Sequence, residues 1–64
     1  MLRLTLEREK RGWTKFQLAT KASVHPSVIG QLEAEKLHPY PSYVEKLAEV
    51  FNIPGEELFK EVSK

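Results

Sequence analysis

Cysteine and aspartate are absent from this 64-residue chain, and histidine occurs only twice. Without thiols there is no disulfide framework, and His25 and His38 by themselves cannot build a structural metal site, so a fold held by packing alone, with no metal, is expected. The same gaps bear on catalysis. With no thiol, no aspartate and no histidine set beside a nucleophile and an orienting acid, neither an enzyme nor a cofactor nor a small-molecule ligand is expected. Long apolar runs are missing too. Nothing approaches the roughly 18 apolar residues of a membrane span, and the opening Met-Leu-Arg-Leu-Thr-Leu-Glu lacks the apolar core of a signal peptide. A soluble cytoplasmic protein with no membrane partner is the expectation. Every acidic side chain is glutamate, and Asn, Gln and Met are scarce, a composition that leans toward a thermophilic source.

Neither sign of charge dominates, since the formal net charge is +1. Distribution says more than the sum. Residues 1–38 hold seven Lys and Arg against four Glu, whereas residues 39–64 hold three Lys against five Glu. One end is basic and the other acidic. A chain of this length buries only about 60% of its unfolded surface, so one domain spanning residues 1–64, with a small and locally connected core, is expected.

What is present is a series of short helical patterns separated by breakers at Gly12, at Pro39 with Pro41, and at Pro54 with Gly55. Leu4 to Arg11 reads as a helix, although Leu2, Leu4 and Leu6 also alternate as in a strand; Gly12 stops it after Lys10 and Arg11. Thr14 and Gln17 form a capping-box pattern for helix two, with Leu18 and Ala19 on its inner face. Helix three begins near Pro26, whose ring is tolerated in a first turn, and turns Ile29 and Leu32 inward. Ser42 is the expected cap of a helix over Tyr43 to Phe51, in which Val44, Leu47, Ala48 and Phe51 make one apolar face. Asn52 suits a left-handed helix end, and Pro54 opens a last helix bearing Leu58, Phe59 and Val62. Trp13, Phe16 and Tyr43 are expected in the core or at its edge. Five helices with short links and no convincing strand predict a compact all-α domain.

Helices two and three are joined by about four residues, with Ala19 small enough for a close crossing, Ser23 in the turn and branched Ile29 in the contact. On these residues, and on "TKFQLA", Ile29-x-x-Leu32-Glu33, Lys36, Pro39, "LAEVFNI" and "EELF", the chain resembles the lambda-repressor and Cro type of helix-turn-helix, the xenobiotic-response-element family. The resemblance runs without gaps from about Leu4 to Phe59. It implies a transcriptional regulator, prokaryotic and cytoplasmic, that binds double-stranded operator DNA as a homodimer with helix three in the major groove. Carried over residue by residue, it implies base contacts from Pro26, Ser27, Val28 and Gln31. It implies phosphate contacts from Thr14, Lys15, His25, Lys36 and His38, and a structural ion pair between Arg8 and Glu33. The last helix and the loop before it, Asn52 to Val62, would form the dimer contact, with Phe59 and Val62 as candidates, and packing of these two against the core at the chain end is an equal expectation.

The residues themselves support part of this. Ser27, Gly30, Gln31 and Ala34 share one face of helix three, opposite Ile29 and Leu32. Gln31 can bond adenine through N6 and N7, Ser27 can bond several base edges, and Val28 suits a thymine methyl. Lys15 and Lys36 flank that helix as phosphate donors. Other features depart from the family. Ser23 stands where glycine is usual, Glu35 where glycine is frequent, and Pro26, Gln31 and Ala34 where Arg or Lys often occurs. Glu33 and Glu35 also bring negative charge near the proposed DNA face, and together these departures imply modest affinity. The competing expectation is a helix-turn-helix module kept as a protein-interaction adaptor, with weak or no DNA binding.

Overall fold

A computed structural model of the chain describes residues 1–62; the last two of the 64 residues expected for the domain lie outside the described residues. Five α-helices follow one another: α1 (Arg3–Lys10), α2 (Lys15–Ala22), α3 (Pro26–Glu33), α4 (Pro41–Phe51) and α5 (Gly55–Leu58).

Four of the helices end in the same way. Gly12, Ser23, Glu35 and Asn52 adopt left-handed backbone, with φ of 70°, 57°, 59° and 55°. In each case the following amide reaches back five residues: Trp13 N to Arg8 O at 3.2 Å, Val24 N to Ala19 O at 3.0 Å, Lys36 N to Gln31 O at 2.9 Å and Ile53 N to Ala48 O at 3.3 Å. This bond satisfies a helix-terminal carbonyl and turns the chain sharply away from the helix axis. Gly12 and Asn52 suit the conformation. Ser23 and Glu35 adopt it against the steric preference of an L-residue.

The helix starts are more varied. Thr14 and Gln17 form the expected capping box, the Thr14 Oγ1 accepting from Gln17 N at 3.0 Å and Gln17 Oε1 accepting from Thr14 N at 2.8 Å. The expected Ser42 cap is corrected: α4 starts two residues earlier, with Pro41 in its first turn and Tyr40 at the cap in extended backbone. A residue before proline is driven out of the α region, so the boundary falls at Tyr40. The last helix is also shorter than expected. Pro54 caps it and it stops at Leu58, so Phe59 and Val62 lie beyond it. Val62 N instead donates to Met1 O at 2.9 Å and Arg3 N to Lys60 O at 2.9 Å, pairing the two chain ends in an antiparallel bridge between Leu2 and Glu61.

The core gathers Leu2 and Leu4 from the first segment, Leu18, Ala19 and Ala22 from α2, and Ile29 and Leu32 from α3. Leu47 and Phe51 of α4 and Leu58 of α5 complete it. Each fully buried leucine or isoleucine contributes about 1.5–3 kcal/mol relative to exposure. Trp13 packs against the edge of this core, its ring 5.5 Å from that of Phe51, and Tyr43 is likewise half-buried. Phe16 departs from expectation, since it is 67% exposed. It stands two residues before buried Leu18, roughly 200° around the helix, which turns it to solvent. At the foot of α4, a Cβ on Gly55 would overlap Val44 Cγ1, so α5 can sit so closely only because that residue is glycine.

Candidate nucleic-acid interface

Ala19 and Ala22 are buried at 1% and 4% exposure, and their small side chains let α2 and α3 cross closely, with Ile29 and Leu32 sealed beneath. The left-handed Ser23 makes the reversal between them. Docking Ile29 and Leu32 inward leaves Ser27, Gln31 and Ala34 exposed, with Gly30 half-buried between them. A Cβ on Gly30 would meet nothing within 4 Å, so the fold does not itself require a glycine there. Pro26 and Val28 are half-buried, and Val28 packs against the core. The outward face is therefore small and polar, and Ser27 and Gln31 supply its exposed hydrogen-bonding groups.

His25 caps α3. Its Nδ1 accepts from Ser27 N at 3.1 Å and lies 2.8 Å from Ser27 Oγ. A polar residue directly before a first-turn proline is a cap signal, whereas the second contact, to the Ser27 hydroxyl, leaves no mark in the sequence.

The cations divide into those paired with glutamate and those left open. Arg3, Arg8, Lys10, Arg11 and Lys60 each stand within ion-pair reach of a glutamate. Among the described residues that leaves Lys15, Lys21, Lys36 and Lys46 without a carboxylate partner. Lys15 opens α2 and Lys36 follows α3, both exposed. Lys21 Nζ sits 4.8 Å from the centre of the Trp13 ring, and Lys21 and Lys46 line the same shallow depression as Ser23. His38 is exposed and meets Tyr40 edge-on at 4.8 Å. The Thr14 hydroxyl oxygen is used by the cap while its hydrogen stays available to an acceptor.

Behind this face, Arg8 Nε and Nη2 donate to Glu33 Oε2 and Oε1 at 2.7 and 3.1 Å, and Nη1 donates to Trp13 O at 2.8 Å. The side chains are 11% and 6% exposed. Glu33's hydrogen bonds, against the effect of burial, raise Arg8 above its ordinary value. A second ionic centre surrounds Glu7, which accepts from Arg11 at 2.8 Å and Arg3 at 3.2 Å, with Lys10 at 3.7 Å. Arg11 also lies over Phe51 at 4.9 Å. The Glu7 cluster was overlooked in the sequence, where the four-residue steps from Arg3 to Glu7 to Arg11 signal it.

Phe59 and Val62 are half-buried, Phe59 against the core and Val62 in the terminal pairing. Among the described residues no cluster of side chains is placed to hold a metal ion, and no helix is long and apolar enough to cross a membrane.

A family model of the helix-turn-helix matches residues 4–58. The chain belongs to that family, the lambda-repressor and Cro type. No characterised protein matches it. The family is one of DNA-binding regulators, and recognition of double-stranded DNA is what membership carries for this fold.

Proposed function

We propose that residues 1–64 act as one domain, a sequence-specific transcriptional regulator that binds a pseudo-palindromic operator as a homodimer, in the cytoplasm of a prokaryote, and catalyses no reaction. In this reading α3 lies in the major groove. Gln31 and Ser27 bond base edges, and Pro26 and Val28 make lesser contacts because both are half-buried. Thr14, Lys15, Lys36 and His38 hold phosphates, and His25 does so through the ring nitrogen that its cap leaves free. The observation that carries the reading is the position of the lysines without a carboxylate partner: among the described residues Lys15 and Lys36 flank the two helices of the motif and Lys21 stands on α2 over Trp13, with Lys46 of α4 the fourth, while Arg3, Arg8, Lys10, Arg11 and Lys60 are engaged by glutamates. Dimerisation through the segment around Phe59 and Val62 would set half-sites about 34–36 Å apart or a multiple of that spacing.

The test is selection of duplexes from a random pool at two salt concentrations. The reading expects an enriched motif with two-fold related half-sites, and retention that falls steeply with salt, with a log-log slope of about −0.9 for each phosphate neutralised. The exposure of Phe16 and Tyr40, 67% and 52%, favours a second reading in which the module is a protein-interaction adaptor. Failure to enrich any sequence, with no salt-dependent retention, selects that one.

A further inference from the structure

The cap on α3 has a chemical consequence for the residue proposed to meet the bases. A backbone N–H can only donate, so the 3.1 Å bond from Ser27 N to His25 Nδ1 requires that Nδ1 carry no hydrogen. Ser27 Oγ lies 2.8 Å from the same nitrogen. With Nδ1 accepting, the hydrogen between these atoms belongs to the hydroxyl. The neutral imidazole then carries its own hydrogen on Nε2, and Ser27 turns lone pairs outward with no hydrogen to offer.

We infer that His25 is a positioning residue that fixes the polarity of the Ser27 hydroxyl, making Ser27 an acceptor that selects a base presenting an amino group, adenine or cytosine, in the major groove. The inference rests on the DNA-reading role proposed for α3. In the groove, adenine N6 and cytosine N4 are the donors, whereas guanine O6 and N7 and thymine O4 set lone pair against lone pair.

Protonation of His25 inverts the arrangement. Nδ1–H then donates to Ser27 Oγ, the bond from Ser27 N is lost, and the hydroxyl hydrogen turns outward, so Ser27 becomes a donor that suits guanine or thymine. Ser27 is the only hydrogen-bonding partner of the His25 side chain among the described residues. The charged groups on the surrounding elements are Lys15 and Lys21 of α2, Glu33 of α3, and Glu45, Lys46 and Glu49 of α4. Glu33 is committed to Arg8 and Lys21 to the Trp13 ring.

Duplex selection with the wild type, Ser27→Ala and His25→Asn, at about pH 8 and about pH 5.5, spans the range in which histidine changes charge. Ser27→Ala identifies the position by losing its preference there. At that position the wild type is expected to favour adenine or cytosine at the higher pH by about three- to tenfold, the span of one net hydrogen bond. It should move to guanine or thymine at the lower pH. An asparagine side-chain oxygen accepts both Ser27 bonds and does not titrate, so His25→Asn should keep one preference at both pH values. Replacing the selected base by an analogue without its exocyclic amino group should weaken the wild type at the higher pH and leave Ser27→Ala unchanged. If Ser27→Ala alters no position, if the wild-type preference is the same at both pH values, or if the analogue binds the wild type equally well, the inference is overturned and the DNA reading stands. If no variant enriches any sequence at either pH, the DNA reading falls and takes the inference with it.

Discussion

Arg8 of α1 holds Glu33, the last residue of α3, through two hydrogen bonds of 2.7 and 3.1 Å, while its remaining nitrogen bonds the carbonyl of Trp13, the residue before the Thr14 cap of α2. One guanidinium thus fixes the end of the outward-facing helix against the start of its partner. Removing one member of a buried pair strands the other charge, at a cost of about 3–5 kcal/mol. A domain of this length has only about 3–10 kcal/mol in total. Glu33→Met and Arg8→Met should each lower the urea midpoint of unfolding sharply, followed by Trp13 fluorescence. The double substitution Arg8→Met with Glu33→Met should be less destabilising than the sum, because neither charge is left unpaired. Strict additivity would contradict the pairing.

Ser23 and Glu35 hold φ of 57° and 59°. Glycine populates this region freely, so Ser23→Gly and Glu35→Gly should each raise stability by about 0.5–1 kcal/mol. The two changes are expected to differ in binding. Glu35→Gly removes a negative charge just past α3 and should tighten non-specific DNA retention at low salt, whereas Ser23→Gly should leave it unchanged.

Gly30 weakens α3 by about 1 kcal/mol relative to alanine, and the fold leaves room for a Cβ. Gly30→Ala should therefore raise the melting temperature. If the face between Ser27 and Gln31 meets a duplex closely, the same methyl should weaken DNA binding. Opposite movement of the two quantities is the expected outcome, measured by thermal melting and by fluorescence anisotropy on one preparation.

Glu7 makes the stability of the fold depend on pH. Arg11's hydrogen bond, with lesser help from Arg3 and Lys10 and against the effect of burial, holds its carboxyl below the ordinary value of 4.5. A carboxylate depressed in the folded state contributes stability that is fully present above its unfolded value and lost as pH falls through the folded one. Stability should hold down to about pH 4.5 and decline below it. Glu7→Gln should be less stable at neutral pH and show a shallower acid decline. Glu57, lowered by Lys60, titrates in the same direction at the surface, where solvent screens its pair.

Much of the fold could be read in local patterns, because caps, breakers and helical spacing act over a few residues. Gly12, the Thr14–Gln17 box, Asn52 and the inward pairing of Ile29 with Leu32 are of that kind. What escaped depended on geometry that spacing constrains weakly or on distant pairing. Phe16 looked apolar enough for the core, yet its angle from Leu18 turns it outward. Ser42 looked like a cap, but Pro41 had already set the helix start. The bridge between Leu2 and Glu61 joins the two chain ends and leaves no local periodicity, which is why Val62 was expected in a helix. At the candidate interface the exposed face of α3 was visible in the sequence. The bond from Ser27 to His25 was not, since it depends on the rotamer of one imidazole.

In the proposed function Gln31 reads sequence from α3 while the rim lysines supply affinity. The most direct measurement is binding of a selected duplex and all its single-base variants by the wild type, Gln31→Ala and Lys36→Ala across a salt series. Gln31→Ala should abolish discrimination, about 1–3 kcal/mol, at one base pair in each half-site and leave the others intact. Lys36→Ala should weaken every duplex alike and reduce the salt slope by about one. A Gln31→Ala profile that matches the wild type at every base pair, or falls uniformly as Lys36→Ala does, would contradict base reading by Gln31.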